Sequence, residues 1–252
     1  MLNIILQANL INNFGIVEQI IWWMGSFIAI GLGVFFTNRM KKYEVSSKFI
    51  LGLAIFSYSY GIARIIENIR KYIISTDARD IFNAWVNGGQ ITDANYILRI
   101  LYYAIAWTGI AIFYFVSERY IFKTKTHYLM TLASIVEGIA SILNYVDHLT
   151  PYTIWISAVG YFIAAIFPIV LYLNMARVNT GVIRTSCIWV ALGLLFFILG
   201  VLADLPESLY VIYITGGTEL PTFITSVLAP IALFLGLVIM AISFKKMFSS
   251  LI

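Results

Sequence analysis

Seven long apolar segments are the feature that most restricts what this chain can fold into. Each is close to the roughly 20 residues that an α-helix needs to cross the hydrocarbon core of a bilayer. The segments are continuous rather than alternating in polarity, which favours helices over the strands of a membrane barrel. We therefore predict an all-α, polytopic membrane protein in which residues 1–252 form a single domain of seven transmembrane helices. The predicted spans are Gly15–Thr37, Phe49–Tyr72, Ile97–Phe122, Tyr128–Val146, Tyr152–Ala176, Ile183–Ala203 and Thr222–Phe244.

The composition argues against an ordinary soluble globule. Hydrophobic residues make up 61% of the chain and charged residues 11%, whereas a soluble domain carries about 25% charged residues. The net charge of +4 comes from cations divided among several short segments, so no single basic patch suggests a nucleic-acid partner. The single cysteine, Cys187, excludes an intrachain disulfide and a cysteine-ligated cluster.

Eleven of the 16 Lys and Arg residues lie at alternate ends of the predicted spans, and this pattern predicts the orientation. Cytoplasmic loops retain Lys and Arg. We therefore expect a cell-membrane protein with its N-terminus outside the cell and its C-terminus in the cytoplasm. The lipid bilayer is its surrounding partner. The basic ends hold Arg39, Lys41, Lys42 and Lys48, then Arg119, Lys123 and Lys125, then Arg177 and Arg184, and finally Lys245 and Lys246. The opposite ends hold Asp77, Asp80, Asp93, Asp147, Asp204, Glu207 and Glu219.

Two glycine pairs suggest a weak internal repeat. Gly88-Gly89 and Gly216-Gly217 are offset by 128 residues, which aligns residues 15–122 with residues 152–244 and leaves the fourth span as a linker. Both triplets of spans would start outside, as in a parallel 3+1+3 repeat. Pro168 and Pro230 fall inside spans five and seven, where proline frees a backbone carbonyl and kinks a helix.

Polar side chains form a stripe along the second span. At 3.6 residues per turn they fall within about 100° of the helix circumference. Arg64 and Glu67 are three residues apart and are expected to pair along the helix, whereas Arg70 lies off the stripe and is expected to reach the outer interface. The members of the stripe are Ser57, Tyr60, Arg64, Glu67, Asn68 and Lys71.

A second stripe runs along the fourth span, within about 80° of that helix. Both stripes open toward the predicted outside, and Glu137 lies near the midplane. One interpretation is a buried ion-pair network that fixes helix register; the other is a polar ligand pocket reached from outside, with Arg99 and Asp204 at its rim. The second stripe contains Ser134, Glu137, Ser141, Asn144 and His148. The predicted ligand-binding residues are Arg64, Glu67, Asn68, Arg99, Glu137, Ser141, Asn144 and Asp204.

Several functions are disfavoured by missing residues. The last span has no lysine between Ile224 and Ala241, so it offers no Schiff-base site for retinal. The two histidines, His127 and His148, are predicted at opposite membrane faces, which argues against a metal or haem site. No phosphate-binding loop or nucleophile–histidine–acid set occurs. We predict no cofactor and do not favour an enzyme.

The function that the sequence favours is a sensor or receptor-like protein. It would bind a small anionic or zwitterionic ligand in the external pocket and signal through a separate transducer protein. Two alternatives remain open: a transporter of a small solute that uses the same pocket, and an accessory subunit of a membrane complex.

Overall fold

The computed structural model describes residues 2–40, 47–74, 93–120, 127–146, 151–204 and 224–249. Some side chains at the ends of these ranges, those of Asn144 and Asp204 among them, lie outside the described residues. The described chain is entirely helical, which confirms the predicted all-α class. Its elements are α1 (Leu2–Met40), α2 (Ser47–Ile69), a π-helix (Arg70–Ile74) that continues α2, α3 (Asp93–Tyr120), α4 (Leu129–Val146), α5 (Pro151–Val178), α6 (Gly181–Asp204), a second π-helix (Ile224–Leu228) and α7 (Ala229–Ser249).

Five of these helices are long and apolar enough to cross a membrane. Two further apolar stretches among the described residues are shorter: Leu129–Leu143 in α4 and Ile166–Val178 in α5. Every one of the seven predicted spans overlaps a helix, and the five stretches that meet the length of a span are Glu18–Met40, Lys48–Ile74, Ile97–Tyr120, Gly181–Ala203 and Ala229–Met247.

The two prolines differ in their structural setting. Pro168 lies inside α5, as the sequence suggests. Pro230 is the second residue of α7, and α7 directly follows the second π-helix. A proline ring clashes with the carbonyl four residues earlier in an α-helix, and the wider π-helical turn is a local solution to that clash. Pro230 therefore marks a change of helix type.

Close contacts divide the chain into two compact units. Unit 1 comprises Met1–Gly25 and Pro168–Ile252, and unit 2 comprises Ser26–Phe167. The boundaries fall within α1 and α5. The single domain and the 3+1+3 repeat remain predictions.

Glycines bring α6 and α7 together in unit 1. A Cβ atom added at Gly200 would lie 2.6 Å from the backbone nitrogen of Leu233 and 2.7 Å from the carbonyl oxygen of Ala229. A Cβ added at Gly236 would lie 2.6 Å from the carbonyl oxygen of Gly193. Small residues that let two backbones approach closely are the usual basis of helix packing in lipid.

Unit 2 has a regular antiparallel register between α2 and α3. Gly52 accommodates Val116, and Gly109 accommodates Ser59, with added Cβ atoms at 3.1 and 2.5 Å from those side chains. The two pairs have the same register, because a step of seven residues forward along α2 corresponds to seven residues backward along α3. This register decides which polar residues of the two helices meet farther along.

A buried carboxylate holds the start of α4. Oε1 of Glu118 on α3 accepts a hydrogen bond from the backbone N–H of Met130 at 2.9 Å, and Oε2 accepts one from the N–H of Thr131 at 3.0 Å. The first N–H groups of a helix lack internal partners, and the residue before α4 is Tyr128, which has no short side-chain oxygen to cap them. Glu118 therefore supplies the cap from another helix.

Candidate functional site

The polar stripe predicted along the second span lies on the buried side of α2. Each of its six members is at most 6% exposed, whereas Ile62 on the same helix is 46% exposed. Charged side chains within membrane segments face the protein interior because contact with lipid is costly. The stripe therefore lies in the protein interior, which is consistent with both interpretations of it.

The carboxylate of Glu67 is the centre of a buried ionic cluster. Arg70 grips it with two parallel hydrogen bonds, from Nε to Oε2 at 3.0 Å and from Nη2 to Oε1 at 2.8 Å. Arg99 of α3 donates from Nη1 to the same Oε1, and the positive charge of Arg64 also attracts this carboxylate. We call Arg64, Glu67, Arg70 and Arg99 the arginine cluster.

The position of Arg70 corrects the sequence analysis. Arg70 was expected to extend to the outer interface, but only 3% of its surface is exposed. It lies three residues after Glu67, so the two side chains are neighbours along the helix and form a buried ion pair. Glu67 therefore has hydrogen bonds with Arg70 and Arg99, in addition to the attraction between its carboxylate and Arg64.

Two consecutive tyrosines hold the guanidinium of Arg99. Its carbon Cζ lies 5.0 Å from the ring centre of Tyr102 and 4.9 Å from that of Tyr103. Nη2 donates a hydrogen bond to the hydroxyl oxygen of Tyr103 at 3.1 Å. The Cζ of Arg64 lies 5.8 Å from the ring centre of Tyr102, so this ring is close to two guanidinium groups. Aromatic faces attract cations, and the tyrosines fix the direction of Arg99.

Asn68 connects the same part of α2 to α1. Its Nδ2 donates to the hydroxyl oxygen of Ser26 at 3.1 Å. Two buried polar atoms here have no hydrogen-bond partner among the described residues: Oδ1 of Asn68 and, two residues farther along the chain, Nη1 of Arg70. Buried polar atoms usually have partners, so these two atoms mark where a ligand would find an acceptor and a charged donor.

The predicted stripe of α4 is also buried where it is described. Ser134 and Ser141 are fully buried and Glu137 is 6% exposed. The carboxylate of Glu137 lies directly against the backbone of α5 at Gly160, where any larger residue would overlap it. Asn144, His148 and Asp204 were also predicted in or near the pocket, and their side chains lie outside the described residues.

Positive charge exceeds negative charge in the buried part of this site. Seven charged side chains are buried among the described residues of unit 2. Glu118 caps α4, about 28 Å from Arg99 along α3. The other six are four cations and two carboxylates, which leaves a surplus of two positive charges. Cations therefore outnumber carboxylates among these buried side chains, and their combined charge would attract an anion. The six are Arg64, Arg70, Lys71, Arg99, Glu67 and Glu137.

Four of the eight predicted ligand-binding residues meet in one place. Arg64, Glu67, Asn68 and Arg99 lie together between α1, α2 and α3, and two more, Glu137 and Ser141, are on the buried face of α4 in the same unit. The sequence analysis missed Arg70 as a member of the site. The signal was present, because a carboxylate three residues before an arginine favours pairing over exposure.

The described residues of the site offer charges and hydrogen-bonding groups. Within the described ranges, no three His, Cys, Asp or Glu side chains come together to hold a metal ion. Comparison of the chain with protein families, with curated proteins and with solved structures found no match.

Proposed function

We propose that this protein is a seven-helix membrane sensor that binds a small anionic or zwitterionic ligand at the arginine cluster. The observation that carries the proposal is that cations outnumber carboxylates by four to two among six buried side chains of unit 2, four of which form the cluster. Four cations are retained in apolar surroundings where each is costly. A bound anion would offset that cost.

The exposed faces of the shorter helices support seven spans rather than five. On α4 the serines and Glu137 are buried while the opposite face is apolar and exposed, an arrangement suited to lipid. Its 18 residues correspond to about 27 Å, close to the hydrocarbon thickness of about 30 Å. The exposed residues of α4 are Leu129, Leu132, Ile135, Val136, Ile139 and Leu143.

The distribution of Lys and Arg supports an external N-terminus, and it has a direct test. A Lys246→Cys variant in a Cys187→Ser background is expected to resist a membrane-impermeant thiol reagent in intact cells. An Asp77→Cys variant is expected to react, because Asp77 belongs to the predicted external connection. If only the Lys246→Cys variant is labelled, the orientation is the opposite of the one proposed.

The links between helices suggest how binding becomes a signal. Glu67 is bonded to Arg99 across α2 and α3, and the adjacent Asn68 is bonded to Ser26 of α1. A ligand that competes for these groups favours one packing of the three helices over another. A separate transducer protein at the basic ends would detect the change.

Thermal unfolding in the presence of candidate anions tests the proposal. Phosphate, succinate and glutamate are compared with chloride at constant ionic strength. A binding anion is expected to raise the melting temperature of the wild type in a saturable manner, and Arg64→Ala is expected to lose that effect. Arg184→Ala, which removes an exposed arginine, is the control and is expected to keep it. Ligand shifts that survive in Arg64→Ala would remove the cluster from the binding site.

A transporter is the second candidate, and Pro168 favours it. This proline is the first residue of unit 1 after the unit boundary within α5, a position suited to a hinge because proline removes a helical hydrogen bond. Glu137 would then carry a proton with the solute. Uptake into proteoliposomes that Glu137→Gln abolishes would favour transport. If an anion stabilises the protein but is not taken up into the proteoliposomes, transport of that anion is excluded.

A further inference from the structure

The arginine cluster already contains a group with the chemistry of an anionic ligand, namely the carboxylate of Glu67. Building on the proposed anion site, we propose that Glu67 is an intramolecular competitor of the ligand for the arginine side chains. The ligand group is then an oxoanion, a carboxylate or a phosphate, that competes with Glu67 for Arg70 and Arg99.

The hydrogen bonds of Glu67 define the chemical class. The guanidinium of Arg70 binds two carboxylate oxygens with two parallel N–H groups, and Arg99 adds a third donor from another helix. This fork geometry matches the oxygens of a carboxylate or phosphate and does not suit a halide. An external oxoanion would find the same donors and, in addition, the partnerless Nη1 of Arg70.

Two further cations, one on α2 and one on the π-helix that continues it, offer Glu67 an alternative partner. Arg64 lies three residues before it and Lys71 four residues after it, the spacings at which helical side chains meet. Both belong to the buried stripe, and the charge of Arg64 already attracts the carboxylate. When a ligand takes Arg70 and Arg99, Glu67 moves toward Arg64 or Lys71 and its charge remains compensated.

This exchange of partners has a structural consequence. The bond between Glu67 and Arg99 joins α2 to α3, whereas Arg64 and Lys71 are on the same helix as Glu67. Ligand binding therefore replaces an interhelical bridge of the protein by one that passes through the ligand. Such a change can alter the packing of α2 against α3 without a new contact elsewhere.

The competition between Glu67 and the ligand is tested with the variant Glu67→Gln, which keeps the size of the side chain and removes its charge. The probe is inorganic phosphate, titrated against the purified full chain in phosphatidylcholine nanodiscs, and the readout is the phosphate concentration at half-maximal thermal stabilisation. This concentration is expected to fall about tenfold or more, because the loss of one opposing charge at contact distance changes binding by at least ~1.4 kcal/mol. Glu118→Gln removes the same charge at the other end of α3 and is expected to leave it unchanged.

A second variant covers the case in which Glu67→Gln does not fold. Glu67→Asp keeps the charge but has a shorter reach to Arg70 and Arg99, so its half-maximal concentration is expected between those of the wild type and of Glu67→Gln. Phosphatidic acid in the nanodisc distinguishes the sources of the oxoanion. Competition with soluble phosphate assigns the site to a lipid headgroup, and its absence assigns the site to a dissolved anion.

The outcomes separate this inference from the function on which it depends. Suppose that phosphate stabilises the wild type saturably and that the half-maximal concentration does not fall in Glu67→Gln or Glu67→Asp. This result would support an anion site but would contradict competition by Glu67. Stabilisation by phosphate that appears only in the variants supports competition by Glu67, since the wild-type carboxylate then excludes phosphate. The absence of stabilisation in all forms would overturn both proposals for phosphate.

Discussion

Glu67 of α2 and Arg99 of α3 are 32 residues apart in the chain and share a buried hydrogen bond between Oε1 and Nη1. Both side chains are only 2% exposed. The bond crosses between two helices, and without it Glu67 would keep only the pair with Arg70 on its own helix. Several measurable consequences depend on this pair and on the packing that aligns it.

Removal of Arg99 is expected to destabilise unit 2 strongly. Breaking a buried ion pair by deleting one partner costs about 3–5 kcal/mol. Because Glu67 keeps its pair with Arg70, the cost of losing Arg99 is expected at the lower end of this range. Arg99→Ala should therefore lower the melting temperature in detergent far more than Arg184→Ala, which removes an exposed arginine. Equal effects of the two substitutions would mean that the Glu67–Arg99 bond contributes little.

Tyr103 is expected to act through Arg99. Tyr103→Phe removes the hydroxyl that accepts from Nη2 of Arg99 at 3.1 Å, and a hydrogen bond to a charged group contributes about 1.5–3 kcal/mol. The loss should be smaller than that of Arg99→Ala. In the double variant the losses should not add fully, because the hydroxyl can no longer bond to Arg99 once that residue is absent. Strictly additive losses in thermal unfolding would contradict this account.

Close approach of α6 and α7 predicts which glycines resist substitution. Gly200→Ala should destabilise the chain by at least about 1 kcal/mol, since its Cβ would lie 2.6 Å from the Leu233 backbone nitrogen. Gly31 provides the matched control within a helix, because its Cβ would meet nothing within 4 Å. Gly31→Ala should be neutral or stabilise by up to about 1 kcal/mol through helix propensity. Thermal unfolding of both variants distinguishes the sites.

The cap formed by Glu118 is expected to protect specific amides. Glu118→Ala removes the acceptors of the Met130 and Thr131 N–H groups, which should cost about 1–2 kcal/mol, as for other lost N-caps. Hydrogen exchange of these two amides should accelerate, while the middle of α3 keeps its protection. Thr131→Val, which removes only the side-chain hydroxyl bond to Glu118, should leave both amides protected. Unchanged exchange in Glu118→Ala would contradict the capping role.

Helical periodicity was sufficient to predict the buried face of α2. Polar residues at 3.6-residue spacing in an apolar span point inward because lipid excludes them, and the stripe from Ser57 to Lys71 does so. The same argument failed for Arg70, because a long side chain can reach a carboxylate one turn away even when it starts off the stripe.

The partner of Glu67 on another helix could not be predicted from periodicity. Arg99 meets Glu67 because the register of α2 and α3 is set elsewhere, where Gly52 accommodates Val116 and Gly109 accommodates Ser59. Those contacts depend on helix rotation and close packing, which one sequence does not reveal. Continued toward the end of α2, the register brings Glu67 level with Arg99.

The ligand and the partner are the remaining parts of the proposal, and native mass spectrometry after gentle extraction from the membrane tests them most directly. The account predicts that the wild-type chain carries a small anionic mass and that Arg70→Ala, which loses the fork around Glu67, does not carry it. A stoichiometric partner protein in the same spectra would identify the transducer. A wild-type chain that carries no small mass, or one that Arg70→Ala retains in full, would contradict the claim that the arginine cluster binds an anion.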